Sequence, residues 1–358
     1  MANKFYPIKI KSVEKTTVDC AVVELDVPQH QTKDFAFKQG QYLTLKAIIN
    51  GEDIRRSYSL CTSPLEGSWK VAIKKIDGGR FSTFANEQLK AGDMLEVLPP
   101  TGHFFVESEH TQAKNYIAFA AGSGITPILS IIKTHLQLEP ESTFKLFYIN
   151  QAVSTIILRE ELEALKNKFL HRFEIFHFLT REARHAPLFN GRIDRAKLDI
   201  LFRTLIDAEQ ADDFFICGPN QMIFLIRDYL QAQGFDESQI HFELFNTSTG
   251  EADKTKRVQR KIDPSLLSEI SIQEGGKTFK FNIPRASDNI LDAALKKQAD
   301  LPYACKGGVC STCRAKLLEG EVDMEFTYGL EAEEIEQGYV LTCQAIPLTE
   351  KVTVDFEA

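Results

Sequence analysis

Four cysteines in the last sixth of this 358-residue chain carry its clearest chemistry. Cys305, Cys310 and Cys313 form a C-x4-C-x2-C loop, and Cys343 follows after 29 further residues. Four thiolates at that asymmetric spacing are the ligand set of a [2Fe–2S] cluster, where one tight loop supplies three ligands and a distant segment the fourth. Gly307 and Gly308 lie inside the loop, where the backbone must fold over sulfide without side-chain clashes and present its N–H groups. Structural zinc is the rival for any cysteine quartet, but it usually appears as two C-x2-C knuckles. Four unrelated core cysteines would rarely fall at this spacing. Cys20, Cys61 and Cys217 show no such grouping, and Cys20 and Cys61 read as small core hydrophobes.

Two other segments have residue types that could hold a flat ring and a phosphate. In Arg56-Ser57-Tyr58-Ser59 a guanidinium can neutralise phosphate, a tyrosine can lie on a flat ring and a small hydroxyl can reach a ring edge. Gly78-Gly79-Arg80-Phe81-Ser82-Thr83 opens a short helix, whose first amides and hydroxyls make a phosphate cradle; a plain capped helix is the simpler alternative. Further on, Ala121-Gly122-Ser123-Gly124-Ile125-Thr126-Pro127 joins an apolar strand to a helix. Gly122 and Gly124 permit close backbone approach, and Pro127 takes the first helical turn, where its missing N–H is harmless. A helix N-terminus in that position favours the pyrophosphate of a dinucleotide. Cys217-Gly218-Pro219-Asn220 makes a second strand-to-helix turn.

The elements that must position these groups fall into three segments. Residues 1–110 alternate short β-like runs (Cys20–Val27, Gln41–Ala47, Trp69–Ile76, Met94–Leu98) with turn signals, which predicts a small antiparallel barrel. Residues 111–245 alternate apolar strands (Tyr116–Ala121, Phe144–Ile149, Phe173–Phe178, Asp213–Ile216, Ile240–Phe245) with helical stretches (Pro127–Leu138, Arg159–Phe169, Gln221–Gln233), which predicts a parallel α/β sheet. Residues 246–267 are polar and read as a linker. Residues 268–358 open on a hairpin around Glu274-Gly275-Gly276-Lys277, continue into a short helix Asn289–Gln298 and then reach the cysteine loop.

Composition narrows the class. With 43% hydrophobic and 26% charged residues and no apolar run of spanning length, the chain reads as globular and not membrane-embedded. The N-terminus lacks a signal-peptide pattern, so the cytoplasm is the expected location. The net charge of -8 is concentrated late, with 15 acidic against 9 basic residues from residue 270 onward. An acidic face disfavours nucleic acid and suits a basic protein partner, although it also serves solubility.

Taken together, these motifs resemble a family of bacterial reductases in which a ferredoxin-reductase-like flavin and nicotinamide module precedes a plant-type ferredoxin domain, and the resemblance covers nearly the whole chain. It implies an antiparallel β-barrel flavin domain, an α/β parallel-sheet nicotinamide-binding domain and an α+β β-grasp ferredoxin domain. It assigns Arg56, Ser57, Tyr58 and Ser59 to the flavin, with Ser59 at its reactive edge, and Gly79, Arg80, Phe81 and Ser82 to the flavin pyrophosphate. Gly122, Gly124, Thr126, Pro127, Cys217, Gly218 and Pro219 fall to the nicotinamide nucleotide, with Thr126 and Cys217 beside the hydride path. The implied cofactors are the [2Fe–2S] cluster, FAD (FMN being the alternative) and NADPH or NADH. Tyr148-Ile149-Asn150-Gln151 stands where NADPH-using relatives commonly show G-N-R, so the donor stays open, with Arg181, Arg184 and Ser154 as substitute partners for a 2′-phosphate. The resemblance points to phenylacetate degradation, with a di-iron oxygenase as electron acceptor. Another oxygenase, a hybrid-cluster protein as acceptor, a flavin enzyme that reduces small molecules directly, and an iron–sulfur redox sensor are the other readings.

Overall fold

The computed structural model describes residues 4–111, 113–245, 266–285 and 287–358, in two compact units. Most of the expected linker, 246–267, falls outside the described residues.

Strands β1 (Tyr6–Thr17), β2 (Cys20–Asp26), β3 (Tyr42–Ile49), β4 (Glu52–Ser59), β5 (Trp69–Lys74) and β6 (Met94–Thr101) form one sheet in the order β4-β3-β6-β1-β2-β5, which falls in the larger unit except for Arg55–Ser57 of β4. An antiparallel bridge from Leu60, just past β4, to Val71 of β5 joins the two edges, which closes the sheet into a barrel. The strands alternate as a half-buried sheet should: Ile8 and Ile10 of β1 are buried while Lys9 and Lys11 face out. Helix α1 (Arg80–Glu87) covers the barrel through Phe81 and Ala85. β1 is absent from the runs expected from sequence: its apolar–polar alternation is brief, because the register shift between Ile10 and Ser12 puts Val13 out of step with Ile8 and Ile10.

The same unit carries a parallel sheet of β7 (Asn115–Ala121), β8 (Thr143–Asn150), β9 (Phe173–Leu179), β10 (Ala211–Cys217) and β11 (Ile240–Glu243), ordered β11-β10-β7-β8-β9. Helices α2 (Ile125–Leu138), α3 (Arg159–Lys168), α4 (Arg195–Thr204) and α5 (Asn220–Gln233) lie in the connections. α2 is almost wholly buried, which accounts for its nearly continuous apolar sequence. Each Ile or Leu it buries contributes roughly 1.5–3 kcal/mol. α4, unread in the sequence, buries only Leu198 and Leu201 and is started by Asp194, whose carboxylate accepts from Lys197 N at 2.9 Å.

The smaller unit contains β12 (Leu267–Glu274), β13 (Lys277–Pro284), α6 (Ile290–Lys296), β14 (Arg314–Glu319), β15 (Val322–Asp323), α7 (Ala332–Glu336), β16 (Tyr339–Leu341), β17 (Ile346–Pro347) and β18 (Lys351–Asp355). Its main sheet runs β13-β12-β18-β14-β16, with β18 parallel to β12 and α6 packed on it through Ile290, Leu291 and Ala294. Gly275 and Gly276, with φ of 59° and 68°, make the two-residue turn between β12 and β13 that the sequence predicts. Among the described residues no helix is long and apolar enough to cross a membrane.

Candidate redox cofactor sites

The flavin motifs meet at the end of β4. Tyr58 is half-buried and its ring lies 5.6 Å from that of Phe81 at 39°, so the two sequence segments form one surface. Arg56 is exposed, with Nη1 donating to the Arg55 carbonyl at 2.7 Å, and Ser57 is half-buried beside it on β4. At the start of α1, Ser82 Oγ donates to Gly79 O at 3.1 Å and accepts from Ile76 N at 3.3 Å, which pins the turn. A Cβ on Gly79 would overlap Ser82 and Ile76, so only glycine fits there. Arg80 forms an exposed ion pair with Glu52 at 2.8 Å. A half-buried tyrosine face beside a glycine-led helix start fits a flavin with its pyrophosphate.

Ser59 is buried, and its Oγ donates to Glu243 Oε2 at 3.2 Å. Glu243 ends β11 directly opposite Cys217 of β10. Although one edge of Glu243 reaches solvent, the dense protein around it pushes its carboxyl up to about 8, against a smaller lowering by the Ser59 hydrogen bond. Burial, and then the Glu243 charge, drives the Cys217 thiol well above its ordinary value, so Cys217 is a neutral thiol. Glu243 was missed by the sequence reading: a lone acid inside His241-Phe242-Glu243-Leu244-Phe245 is the only local signal.

The two nucleotide turns touch. A Cβ on Gly124 would overlap the carbonyl of Cys217, and one on Gly218 would come 2.9 Å from Ala121 Cβ, so the β7–α2 and β10–α5 turns pack backbone to backbone. Gly122 has φ of 53°. Thr126 is buried with Oγ1 donating to Ser123 O at 3.0 Å; Pro127 is buried behind it, and Pro219 precedes α5. Lys74, at the end of β5, holds its ammonium 4.0 Å from where a Gly122 Cβ would stand and 3.6 Å from Asp19. That cation, also missed, suits a pyrophosphate over the turn. Asn150, at the end of β8, has a buried Nδ2 without a hydrogen-bond partner.

A cavity of about 530 Å³ opens beyond the C-terminal ends of β8 and β9, where ligands of open α/β sheets bind. Arg159, Glu163, His177, Glu182, Arg184 and His185 line it. Neither ring nitrogen of His177 has a hydrogen-bond partner, and burial lowers its proton affinity. Of the three substitute partners expected from sequence, Arg184 lines the cavity, while Arg181 and Ser154 are exposed and do not.

In the smaller unit all four cysteine side chains of the loop motif converge. Cys305 Sγ and Cys310 Sγ are 3.1 Å apart, and Cys343 shares hydrogen bonds with Cys305 and Cys313. The Cys310 and Cys343 thiols donate to Cys305 and hold its proton affinity below the ordinary thiol range, with the N–H groups of Gly307 and Val309 adding to them against the cost of burial. Thr342 fixes the fourth segment to the loop, donating its N–H and hydroxyl to Cys313 O at 3.1 and 3.0 Å. Gly329 N donates to Gly308 O at 2.9 Å, and a Cβ on Gly329 would overlap the Cys310 backbone. Among the described residues no group of three or more His, Cys, Asp or Glu has the arrangement of a single-ion site. Four free sulfurs with N–H groups directed at them fit an iron–sulfur cluster.

An FAD barrel, a parallel nicotinamide sheet and an iron–sulfur domain in one chain define a modular oxidoreductase that moves electrons between a pyridine nucleotide and a protein acceptor. Family models match accordingly: an oxidoreductase FAD-binding domain over residues 7–106, an oxidoreductase NAD-binding domain over 119–228 and a 2Fe-2S iron-sulfur cluster binding domain over 272–348. A component of the 1,2-phenylacetyl-CoA epoxidase of Escherichia coli (strain K12) is 43% identical over 99% of this chain and 98% of its own length. The ferredoxin reductase component of 3-ketosteroid-9-alpha-monooxygenase from Rhodococcus rhodochrous is 30% identical over 98% and 96%. Among solved structures, phthalate dioxygenase reductase is similar over 98% of both chains, with 25% identity and a TM-score of 0.59. The chain belongs to the family of oxygenase reductase components that includes the one in 1,2-phenylacetyl-CoA epoxidase.

Proposed function

We propose that this chain is the reductase of a cytoplasmic di-iron oxygenase that epoxidises the ring of phenylacetyl-CoA, and that it draws electrons from NADPH. The observation that carries the acceptor is the 43% identity running end to end with the epoxidase component. Relatives serving steroid and glycine betaine monooxygenases are 30% identical or less, which favours the phenylacetate reading over theirs. When bound, the nicotinamide, flavin and [2Fe–2S] groups would supply a two-electron donor, a two-to-one electron converter and a one-electron exit.

The chain's own residues position these groups. Tyr58 would lie on the flavin ring, Ser59 would reach its reactive edge with Ser57 beside it on β4, Arg56 would neutralise its phosphate, and Gly79, Arg80, Phe81 and Ser82 would hold its pyrophosphate at the start of α1. Gly122, Gly124, Thr126, Pro127, Gly218 and Pro219 hold the nucleotide, with Lys74 opposite its pyrophosphate. Glu243 keeps a proton at its carboxyl near neutrality, within reach of Ser59 and beside Cys217. Cys305, Cys310, Cys313 and Cys343 ligate the cluster. The same reading divides the chain at 1–110, 111–245, 246–267 and 268–358, which brackets the three matched spans.

NADPH is favoured by two guanidinium groups in the lining of the cavity over β8 and β9, Arg159 at the start of α3 and Arg184, which could pair with a 2′-phosphate beside the carboxylates of Glu163 and Glu182 that line the same cavity. Replacing Arg184 with Ala should raise KM for NADPH about tenfold and leave KM for NADH unchanged, measured by steady-state reduction of ferricyanide. Equal effects on both nucleotides would remove the 2′-phosphate assignment. The acceptor is tested by mixing the purified chain with the oxygenase components and following NADPH oxidation with phenylacetyl-CoA. Stoichiometric epoxide formation is expected, and absence of coupling to that oxygenase would overturn the proposal.

A further inference from the structure

We infer that Gln344 sets the electron affinity of the iron–sulfur centre by donating its side-chain amide to the sulfur of Cys343, while tying that segment to the cysteine loop. The inference rests on the reading of the four cysteines as cluster ligands. Gln344 directly follows Cys343, and its Nε2 lies 3.7 Å from Cys343 Sγ, 3.1 Å from Cys343 O and 3.5 Å from Lys306 O. One primary amide with two N–H bonds is therefore shared among acceptors on both parts of the ligand set. The loop is shaped to receive it. Lys306 adopts φ of 53°, a left-handed conformation that a non-glycine residue rarely holds. Gly308 has φ of 73°, and a Cβ there would come 3.0 Å from Gln344 Cγ and 2.6 Å from Phe326 O, so the glutamine stem lies against the loop backbone. The Gln344 main chain is itself fixed, its N–H donating to Leu341 O at 2.8 Å.

An N–H aimed at a ligand sulfur stabilises added negative charge. One-electron reduction spreads such charge over the cluster sulfurs, so the donor favours the reduced state more than the oxidised one and raises the potential. Gly307 N supplies a donor of this kind to Cys305 Sγ at 3.3 Å from the main chain, which no side-chain substitution removes. At Cys343 the donor is a side chain, and so that half of the tuning is encoded by residue 344.

The test uses the full-length protein and two variants without the amide N–H: Gln344→Met, which keeps the length of the side chain, and Gln344→Glu, which keeps its outline and adds negative charge. Redox titration of the reduced-cluster EPR signal is expected to show weaker electron binding in both, about tenfold for Gln344→Met, which is about 59 mV for a one-electron couple, and more for Gln344→Glu. Pulsed EPR should show an exchangeable-proton coupling in the wild type that both variants lose. If Gln344→Met fails to retain iron and sulfide, the exchangeable-proton coupling in Gln344→Glu decides, since its added charge lowers the potential by itself. Unchanged potential and coupling in a cluster-loaded variant would overturn the inference and leave Gln344 a loop strap. A wild-type protein without iron, sulfide or an EPR signal on reduction would instead overturn the ligand reading beneath it.

Discussion

Glu243 lies between the Ser59 hydroxyl and the buried thiol of Cys217, and the surrounding protein holds its proton on to about pH 8. In the unfolded chain the same carboxyl ionises near its ordinary value of 4.5. Between those values the folded protein binds the extra proton, so this group makes stability fall as pH rises from about 4.5 to 8. Glu243→Gln should remove that slope in flavin-free protein. It should stabilise at pH 9 by about 1–3 kcal/mol, a figure discounted because one edge of the carboxyl meets water, and change little at pH 5. Urea unfolding at the two pH values measures this, and an equal gain at both would exclude the buried carboxyl as the cause. The cysteine motif could be read along the chain because three of its cysteines sit within nine residues. Glu243 could not, because its hydroxyl partner is 184 positions away and meets it only across the fold.

The turns between elements carry as much of the proposed nucleotide site as the side chains on them. Gly124 stands where the β7–α2 turn presses on the carbonyl of Cys217, and Gly124→Ala must push the two turns apart or strain both. The expected cost is about 1–3 kcal/mol of stability and at least a tenfold rise in KM for the nicotinamide nucleotide with flavin content retained. Thermal melts and steady-state kinetics report both, and unchanged kinetics would detach this contact from nucleotide binding. Strongly periodic or continuous apolar elements such as α2 and β8 were legible from sequence to within two residues. β1 and α4 were not. The register shift after Ile10 breaks the alternation of β1, and α4 intersperses its apolar residues with Arg, Lys and Asp and buries only Leu198 and Leu201, so what makes them elements is the neighbouring strand or helix they cover.

For the molecule as a whole, the proposed route has one exit. Cys310→Ser should leave NADPH reduction of ferricyanide within about twofold of wild type, because that oxidant can take electrons upstream of the cysteine loop. Oxygenase-coupled turnover should drop to background. A variant that still supports coupled turnover at the wild-type rate would place the exit elsewhere. The sequence by itself determined the cofactor classes the chain is equipped for, a flavin, a nicotinamide nucleotide and an iron–sulfur cluster, since cysteine spacing and glycine-bearing turns are local patterns whose chemistry needs few long-range facts. It also determined the order of barrel, parallel sheet and ferredoxin-like segment, because hydrophobic periodicity reports secondary structure directly. Only the tertiary structure decided that Ser59, Cys217 and Glu243 share a site, that Lys74 faces Gly122, and that Gln344 reaches both Cys343 and Lys306. The physical reason is that each of these depends on pairings between strands or loops distant in sequence, and such pairings are chosen by burial of the whole sheet and not by the residues that meet there.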